Sequence, residues 1–597
     1  MGKAADLSIF DESQIIMVRR LGTSKSETLR LVGYSRAVVV STYRKWCMDG
    51  ETTSRRPAVC LPRRIDFKGE RRLLRIAHRG RRTTTAEITT SCNSGNPYGV
   101  SQRKNKKKSK LFFKSIGDKI IDQRLTFIEK QRNFIIFNLS YVNAVETNEI
   151  FDYSIKSQHK PSPDYGQPLF LTPYIRSGNP DKAKTLSRVG TIPNSPEVLS
   201  YGGFFTVNEK YNSNIFFWFF PAVNQDVKAP IILWLQGGPG LSGLFGLFVE
   251  HGPYVLDSNT TTKLRQFHWA KSFHVIYVDN PVGTGFSFTD SDYAYPTNQE
   301  SVAKDLYEFL QQFFTLFHEY RNNDFYVVGE SYGGKYVPSL AYKIHKEGLS
   351  SKINFKGIAI GNGLCDPETM LDYSPYLYQL GLIDRKQAAV MQNLSDSIRQ
   401  HIRRNEYYEA LVEVDKLIIQ FNVLPYTSYF TNYTDYQFYY NYLRTKEPED
   451  FNYYKSFINL PQVRKAIHVG NLTFQNGEKA QKNLLLDIMQ SVKPEVTVLM
   501  NHYKVLFYSG QLDLCLPYPL TVNFLHSVHW KSADAYKNAE RAIWKLNDGT
   551  SRIAGYVHNV GDFYEVLVRD AGHVVPYDQP KVALDLITRF IRGISYV

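Results

Sequence analysis

The residue best suited to chemistry in this sequence is a serine, Ser331, at the centre of the run Gly329-Glu-Ser-Tyr-Gly333. Apolar, β-branched and aromatic residues at 325–328 precede it and predict a buried strand. A G-x-S-x-G run after a strand is typical of a nucleophile elbow, a sharp turn into a helix that exposes the serine hydroxyl. The glycines suit such a turn because its backbone is strained and the strand and helix approach closely. The same run also fits an ordinary glycine-rich turn, so its context decides.

An aspartate and a histidine follow two later strands. Asp513 comes after an apolar run that begins at residue 504, and His573 comes after one that begins at residue 564. A serine nucleophile needs a base, and the base needs a carboxylate that orients it. Either residue alone is usually a turn or structural residue, but the chain order Ser, Asp, His is that of an α/β-hydrolase triad. The three residues together predict a catalytic triad.

The elements around these residues predict an α/β fold. Further strands are predicted at residues 201–207, 214–220, 230–235, 273–280 and 355–361, with a helix over about 301–320. Strands that alternate with helices indicate a mostly parallel sheet covered on both faces. The glycine-rich turn at 236–240 leaves backbone N–H groups free to bind a developing oxyanion. Residues 369–460 are mostly helical and then Tyr-rich, which fits either a lid above the strand ends or a side domain that does not contact the substrate.

The basic charge of the chain is confined to its first part. The 597 residues carry a net charge of +15, and their hydrophobic content of 43% excludes a disordered chain. Residues 1–110 contain 25 Lys and Arg against 9 Asp and Glu, whereas the other 487 residues contain 47 against 48. A basic surface for nucleic acid is therefore a question for the first 110 residues alone.

Residues 1–92 predict a small all-α helix-turn-helix segment. Three short runs of helical spacing, at 11–21, 26–32 and 35–46, are separated by glycines. They fit a helix-turn-helix that binds DNA and equally a basic three-helix bundle that does not. Residues 1–46 resemble the amino-terminal DNA-binding region of mariner-type transposases, and 66–78 with 84–90 resemble the first two helices of that family's second helix-turn-helix. Residues 93–160 then predict an irregular linker with a basic tract at 103–110.

The nuclease carboxylates of such transposases are not found further along the chain, so we expect no transposition. The resemblance implies at most weak DNA binding by residues 1–92 through phosphate neutralisation. One alternative is a DNA-binding fusion protein in which the hydrolase half is a passenger. Another is a fused or mispredicted first exon.

From about Pro168 to the end, the chain resembles the serine carboxypeptidase family, and within it the vitellogenic-carboxypeptidase-like branch, so residues 161–597 are expected to form that domain. The motifs that carry this resemblance are Trp234-Leu-Gln-Gly-Gly-Pro-Gly240, Phe248-Val-Glu-His-Gly-Pro253, Asp279-Asn-Pro-Val-Gly-Thr-Gly-Phe-Ser287, Gly329-Glu-Ser-Tyr-Gly-Gly-Lys-Tyr-Val-Pro338, Gly510-Gln-Leu-Asp513 and Gly572-His-Val-Val-Pro-Tyr-Asp-Gln-Pro580. The resemblance implies an α/β-hydrolase fold with a helical cap inserted at about 369–460. It also implies release of carboxy-terminal residues from peptides through an acyl-enzyme, with no metal and no cofactor.

The resemblance assigns roles to eight residues. Ser331 is expected to be the nucleophile, His573 the general base and then acid, and Asp513 its orienting partner. The N–H groups of Gly238 and Tyr332 are expected to form the oxyanion hole. Three further side chains are expected to bind the free carboxylate of the substrate: Gln236, Glu250 and Glu330. Because paired carboxyl groups raise each other's pKa, the two glutamates would be protonated and donate hydrogen bonds at acidic pH. We therefore expect activity to be highest at mildly acidic pH.

Several questions stay open at this level. The same triad serves acyl transfer or ester hydrolysis, and only the preferred acceptor separates these activities. Family members often carry several disulfides, but only two cysteines lie after residue 100, and Cys515 fits either buried packing or a thiol near the site. No run approaches the length of a membrane span. The resemblance and the five sequons imply a secreted or lysosomal enzyme, although no working signal peptide starts at the first methionine. The sequons begin at Asn138, Asn259, Asn393, Asn432 and Asn471.

Overall fold

The computed structural model describes residues 163–418, 421, 423 and 426–596. The helix-turn-helix predicted for residues 1–92, the linker predicted for 93–160 and the sequon at Asn138 lie outside the described residues. Across the described ranges, no helix combines the length and the apolar character that a membrane crossing requires.

The strands, in chain order, are β1 (Tyr201–Asn208), β2 (Ser213–Phe220), β3 (Ile231–Leu235), β4 (Tyr254–Leu256), β5 (Thr262–Leu264), β6 (His274–Val278), β7 (Thr284–Gly285), β8 (Phe325–Glu330), β9 (Phe355–Gly361), β10 (Gln475–Asn476), β11 (Lys504–Gly510), β12 (Ala542–Lys545), β13 (Ile553–Val560) and β14 (Phe563–Val568). Every strand predicted from the sequence is present. The short pairs β4–β5 and β7–β10, and the strands β12 and β13, were not predicted.

Ten of these strands form one sheet in the order β1-β2-β6-β3-β8-β9-β11-β14-β13-β12. The six central strands, from β6 to β14, run parallel to one another. Two antiparallel strands extend the sheet on each side, so the sheet is mixed and only its centre is parallel as predicted.

The helices, in chain order, are α1 (Thr172–Arg176), α2 (Pro180–Ser187), α3 (Gly243–Phe245), α4 (Gln299–Leu316), α5 (Gly333–Glu347), α6 (Tyr373–Gln379), α7 (Arg385–Arg403), α8 (Tyr407–Leu417), α9 (Tyr429–Thr434), α10 (Tyr453–Phe457), α11 (Pro461–Ala466), α12 (Glu478–Ile488), α13 (Lys493–His502), α14 (Tyr518–Ser527), α15 (Ala533–Lys537), α16 (Val575–Asp578) and α17 (Pro580–Arg592). A single turn of π-helix, Gly246–Glu250, continues α3. The helix predicted over about 301–320 is α4, which the side chain of Asn298 caps at its N-terminus.

Both faces of the sheet are covered, which explains why β2 is buried along its whole length. Phe217 and Phe219 lie in one core layer, with the phenylalanines of α4. Phe216, Trp218 and Phe220 lie in the opposite layer. This alternation follows from the two-residue period of a strand, because successive side chains point to opposite faces.

The chain between β9 and β11 forms a helical insertion that contains α6 to α13 and the short strand β10. The segment 369–460, for which the sequence predicts a cap, lies within it. The structure therefore has an α/β-hydrolase architecture, with a mixed central sheet and a helical insertion on the side of the parallel strand ends.

Candidate active site

Ser331 lies in the predicted strand–turn–helix, between β8 and α5. Its backbone has a φ of 60°, in the left-handed region that L-residues rarely occupy. A Cβ atom on Gly329 would lie 2.5 Å from the carbonyl oxygen of Leu235, and one on Gly333 would lie 2.6 Å from the same oxygen. Both glycines of the run are therefore required, because the end of β3 packs directly against the turn.

The glycine-rich turn after β3 packs against the serine. A Cβ atom on Gly237 would lie 2.7 Å from both Ser331 Cβ and Tyr332 N. Gly238, the next residue, has a φ of 111°. Within the described chain, neither the N–H of Gly238 nor that of Tyr332 donates a backbone hydrogen bond. Two backbone donors are thus available in the segments that pack around the serine.

The ends of β11 and β14, which are neighbours in the sheet, bring Asp513 and His573 together. His573 Nδ1 lies 2.8 Å from Asp513 Oδ2, and both side chains are buried. The N–H groups of Cys515 and Leu516 donate to the two oxygens of the same carboxylate, at 2.7 and 3.2 Å. His573 Nε2 is buried and has no hydrogen-bond partner in the part of the chain that the structure describes, so it does not bind the Ser331 hydroxyl here. In substrate-free enzymes this contact is often long and shortens when substrate binds.

Asn362 is a polar contact of the site that the sequence did not reveal. It follows β9, which lies between the strands that carry Ser331 and Asp513. Its side-chain Nδ2 donates to Asp513 Oδ2 at 2.6 Å, and its Oδ1 accepts the N–H of Gly510 at 3.2 Å. Asn362 is fully buried and has a φ of 41°. The only signal in the sequence was its position between two glycines at the end of a strand, which resembles the position of Ser331 after β8.

On the opposite side of the elbow, two carboxyl groups and an amide come together. Glu330 is the last residue of β8, and Gln236 follows the neighbouring strand β3. The indole N–H of Trp234 donates to Gln236 Oε1 at 2.7 Å, which turns the amide NH₂ toward Glu330 Oε1, 3.4 Å away. Glu250, at the end of the π-helical turn, is fully buried. Both of its oxygens and Glu330 Oε2 have no hydrogen-bond partner among the described residues.

Burial makes both glutamates weak acids. It raises the pKa of Glu250 to about 8, against the opposing effects of the Gln236 amide, Glu330 and the charge of Arg265. The pKa of Glu330 is raised well above its ordinary value, first by burial and then by the negative charge of Glu250. Protonated carboxyl groups are therefore favoured at this position. Burial is the main cause for both, and the mutual effect expected of paired acids raises only the pKa of Glu330, because Glu330 lowers the pKa of Glu250.

Arg265 supports the segment that carries Glu250 and was also missed from the sequence. Its guanidinium donates to three backbone carbonyls around that segment, those of Phe248, Gly252 and Tyr254, at 2.5 to 3.2 Å. These bonds fix the position of the turn after the π-helix. They leave the arginine close enough to Glu250 to lower its pKa, but bonded to carbonyl groups and not to the carboxyl group.

A cavity of about 280 Å³ opens beside Ser331. The insertion forms one wall of it with Tyr439 and Tyr440. The ring of Tyr440 lies 4.5 Å from the imidazole of His573. The backbone carbonyl of Tyr440 accepts a hydrogen bond from the backbone N–H of His573 at 2.6 Å. The insertion therefore contacts the site directly, which favours the lid interpretation over a remote side domain.

The two cysteines in the described residues, Cys365 and Cys515, are free and buried. Cys515 also lines the cavity, so both interpretations of this residue hold in part. Burial raises its pKa well above the ordinary value for a thiol, and the nearby Asp513 adds to that effect.

The fold and the arrangement of these residues are those of a serine hydrolase built on an α/β sheet. Among solved structures, Kex1(delta)p, a prohormone-processing carboxypeptidase from Saccharomyces cerevisiae, matches with a TM-score of 0.61 at 21% identity, covering 69% of this chain and 96% of its own. At that identity the match supports the fold. The serine carboxypeptidase family model matches residues 191–593.

Two curated relatives extend the comparison. The probable serine carboxypeptidase CPVL of Homo sapiens is 52% identical over 436 residues, which cover 72% of this chain and 91% of that protein. The venom serine carboxypeptidase of Apis mellifera is 46% identical over 431 residues, which cover 72% and 91%. The chain belongs to the serine carboxypeptidase family and is a serine-type carboxypeptidase.

Proposed function

We propose that Ser331 is the nucleophile of this carboxypeptidase, His573 its general base and acid, and Asp513 the carboxylate that orients the histidine. The observation that carries this proposal is the buried hydrogen bond of 2.8 Å between His573 Nδ1 and Asp513 Oδ2. It leaves Nε2 without a partner on the described side chains around it and therefore able to accept a proton. The strained elbow serine lies at the end of a strand in the same sheet.

The chemistry follows from these positions. Ser331 Oγ adds to the carbonyl carbon of the last peptide bond, and its proton passes to His573 Nε2. The N–H groups of Gly238 and Tyr332 stabilise the negative oxygen of the tetrahedral intermediate. His573 then protonates the leaving nitrogen, the C–N bond breaks, and the terminal amino acid departs. Water repeats the sequence on the acyl-enzyme and releases the shortened peptide.

Restriction to the last residue requires a site for its free carboxylate, and we assign that site to Gln236, Glu250 and Glu330. Glu330 immediately precedes the nucleophile in the chain, and the NH₂ of Gln236 lies 3.4 Å from Glu330 Oε1. Three carboxyl oxygens of the two glutamates have no partner among the described residues and can bind a ligand. Two ionised glutamates would repel an anion, whereas protonated ones donate hydrogen bonds to it. The raised pKa values favour the protonated forms, so binding weakens as pH rises through about 8, the pKa of Glu250. This supports an enzyme that works best at mildly acidic pH.

The triad is tested with N-blocked dipeptides whose terminal carboxylate is free. Ser331→Ala is expected to lose at least about a thousandfold in kcat, because the acyl-enzyme cannot form. A C-terminally amidated dipeptide serves as the matched substrate and is expected to react poorly with the wild type. Full activity of Ser331→Ala would refute the assignment of the nucleophile, and equal use of the amide would refute the carboxylate site.

Two further proposals concern the compartment of the enzyme and DNA binding by residues 1–92. We propose passage through the secretory pathway, because the asparagines of four sequons, Asn259, Asn393, Asn432 and Asn471, are exposed and one relative is named a venom enzyme. A mobility shift on treatment with an N-glycosidase tests it. Weak DNA binding by residues 1–92 stays a prediction, because these residues lie outside both the described structure and the family match, which begins at residue 191.

A further inference from the structure

A buried ion pair lies beneath the elbow and takes no part in the mechanism above. Lys335, in the first turn of α5, and Asp487, at the end of α12, have side chains that are 0% and 3% exposed, with Nζ and Oδ2 3.4 Å apart. The ammonium group also donates to the backbone carbonyls of Asp487, Ile488 and Gln490. The last carbonyls of a helix lack intrahelical partners and attract a cation. Lys335 therefore caps the C-terminal end of α12 from within the helix that begins at the nucleophile.

The carboxylate of Asp487 binds the residue that follows the nucleophile. It accepts a hydrogen bond from the Tyr332 hydroxyl at 2.6 Å and another from Gln299 Nε2 at 2.6 Å. The backbone N–H of Gln299 adds a third at 3.2 Å. Burial and the charge of Asp487 raise the pKa of Tyr332 well above its ordinary value, so the phenol stays protonated and donates. The side chain of Tyr332 is thus held at its far end, and the backbone N–H of the same residue is one of the two proposed oxyanion donors.

The opposite end of α12 contacts the other half of the proposed oxyanion hole. Gly477, which precedes α12, packs so closely on Gly240 that a Cβ atom on Gly240 would lie 2.6 Å from the Gly477 carbonyl oxygen. Gly240 closes the turn that contains Gly238. Glu478 and Gln481, in the first turn of α12, line the cavity beside Ser331. The two ends of this helix of 11 residues therefore contact the segments that carry the two proposed donors. The preceding Gly477 packs on Gly240, two residues after Gly238, and Asp487 binds the side chain of Tyr332.

We propose that Asp487, held by Lys335, is a positioning residue of the oxyanion hole. The pair fixes α12 against the nucleophile helix, and α12 then sets the separation of the two N–H donors, directly through the Tyr332 hydroxyl and indirectly through Gly477. This inference rests on the proposed oxyanion role of Gly238 and Tyr332. An oxyanion forms only in the transition state, so loosening the donors reduces kcat while KM changes little.

The most direct test is Tyr332→Phe, which removes the hydroxyl bonded to Asp487 and keeps the backbone N–H. Loss of a whole oxyanion donor costs about a hundredfold to a thousandfold in kcat, so a displaced donor is expected to cost about tenfold, with KM within about twofold. Tyr326→Phe is the matched control, because Tyr326 is also buried, lies in β8 and donates a single hydrogen bond, to the carbonyl of Ile591. Unchanged kcat in Tyr332→Phe, or an equal loss in both variants, would overturn the proposal.

A second experiment separates positioning from stability. Either charge alone would be left buried without its partner, so single variants of the pair are expected to unfold at lower temperature. The double variant Lys335→Met/Asp487→Asn removes both charges and keeps an amide oxygen for Tyr332, whereas Lys335→Met/Asp487→Leu removes the acceptor as well. We expect kcat to fall further in the leucine double variant than in the asparagine one. Equal kcat in the two double variants would refute the role of Asp487 as the acceptor that positions Tyr332.

The reaction of Ser331 with a fluorophosphonate distinguishes failure of this inference from failure of the proposed function. The probe modifies an activated serine and also develops a negative oxygen in the hole, but it needs no peptide. Tyr332→Phe is expected to react about tenfold more slowly than the wild type. If the wild type reacts with the probe but releases no terminal residue from any blocked dipeptide, the carboxypeptidase assignment fails, while the ratio of labelling rates still tests Asp487. Equal labelling rates would overturn the positioning role.

Discussion

Replacing Glu250 with glutamine separates the chemistry of the carboxylate site from that of the triad. Glu250 is fully buried, and its pKa of about 8 means that it is mostly neutral at pH 7 and mostly ionised at pH 9. With one titration at that pKa, the neutral fraction falls from about nine tenths at pH 7 to about one tenth at pH 9, and apparent affinity falls in proportion, about tenfold. The glutamine variant has no proton to lose there. We expect KM of the wild type to rise about tenfold over this range, and KM of Glu250→Gln to stay flat.

The assay is the KM of a blocked dipeptide with a free carboxylate, measured at several pH values with kcat recorded separately. Because ionisation of the triad changes kcat, recording kcat separately keeps that effect out of the comparison of KM values. Glu330→Gln is expected to reduce the same alkaline rise, because one carboxyl group fewer can then ionise and repel the substrate carboxylate. A wild-type KM that does not change up to about pH 9, or an alkaline rise that persists in both variants, would refute the reasoning.

The substitution Glu250→Gln is also expected to change the free energy of unfolding. A carboxyl group whose pKa is about 8 when folded and 4.5 when unfolded keeps its proton only in the folded state. That stabilising contribution is fully present below about pH 4.5 and is lost as pH rises toward 8, by about 1.4 kcal/mol per pH unit and about 3 kcal/mol by pH 7. Glu250→Gln is therefore expected to unfold at a higher temperature than the wild type near pH 7, with the difference shrinking as pH falls to 5. Thermal unfolding followed by circular dichroism at both pH values measures it, and parallel curves would contradict the burial argument.

Two further predictions concern the geometry of the triad. Gly333→Ala is expected to abolish activity and to lower stability by about 1–3 kcal/mol, because the new Cβ would lie 2.6 Å from the Leu235 carbonyl oxygen; kcat and urea unfolding measure both effects. Gly549→Ala is the control, because a Cβ atom at Gly549 would have no neighbour within 4 Å although the glycine has a φ of 80°. Loss of activity in Gly549→Ala would contradict the argument that the contact with Leu235 causes the effect. Asn362→Ala is expected to lower kcat about tenfold through loss of the bond to Asp513 Oδ2, with little change in KM. An unaltered kcat would mean that the backbone donors alone hold the carboxylate.

Much of the site follows from local sequence because its parts sit at strand ends. Ser331 was predictable since the elbow is a local structure, in which glycines must flank a strained serine whatever the rest of the fold. Asp513 and His573 were predicted from their residue types, from the apolar run before each of them, and from the chain order Ser, Asp, His. The pair of glutamates was identified through the family motifs, and burial then explains why they favour their protonated forms.

Other residues could not be found along the chain because their roles depend on neighbours far away in sequence. Asn362 contacts the candidate site only because β9 lies between β8 and β11, which places its amide against Asp513. Arg265 and Asp487 are ordinary charged residues in the sequence. Only packing brings the first against the segment of Glu250, and the second against Tyr332.

The sequence by itself therefore determined the class of chemistry, the candidate nucleophile and the strands of the parallel sheet, because turns, periodicity and residue types are local properties. The tertiary structure decided which buried groups lack partners, which carboxyl groups favour their protonated forms, and how the insertion forms one wall of the cavity beside the serine. Those properties depend on distance and burial, and no spacing along a chain specifies either of them before the sheet has formed.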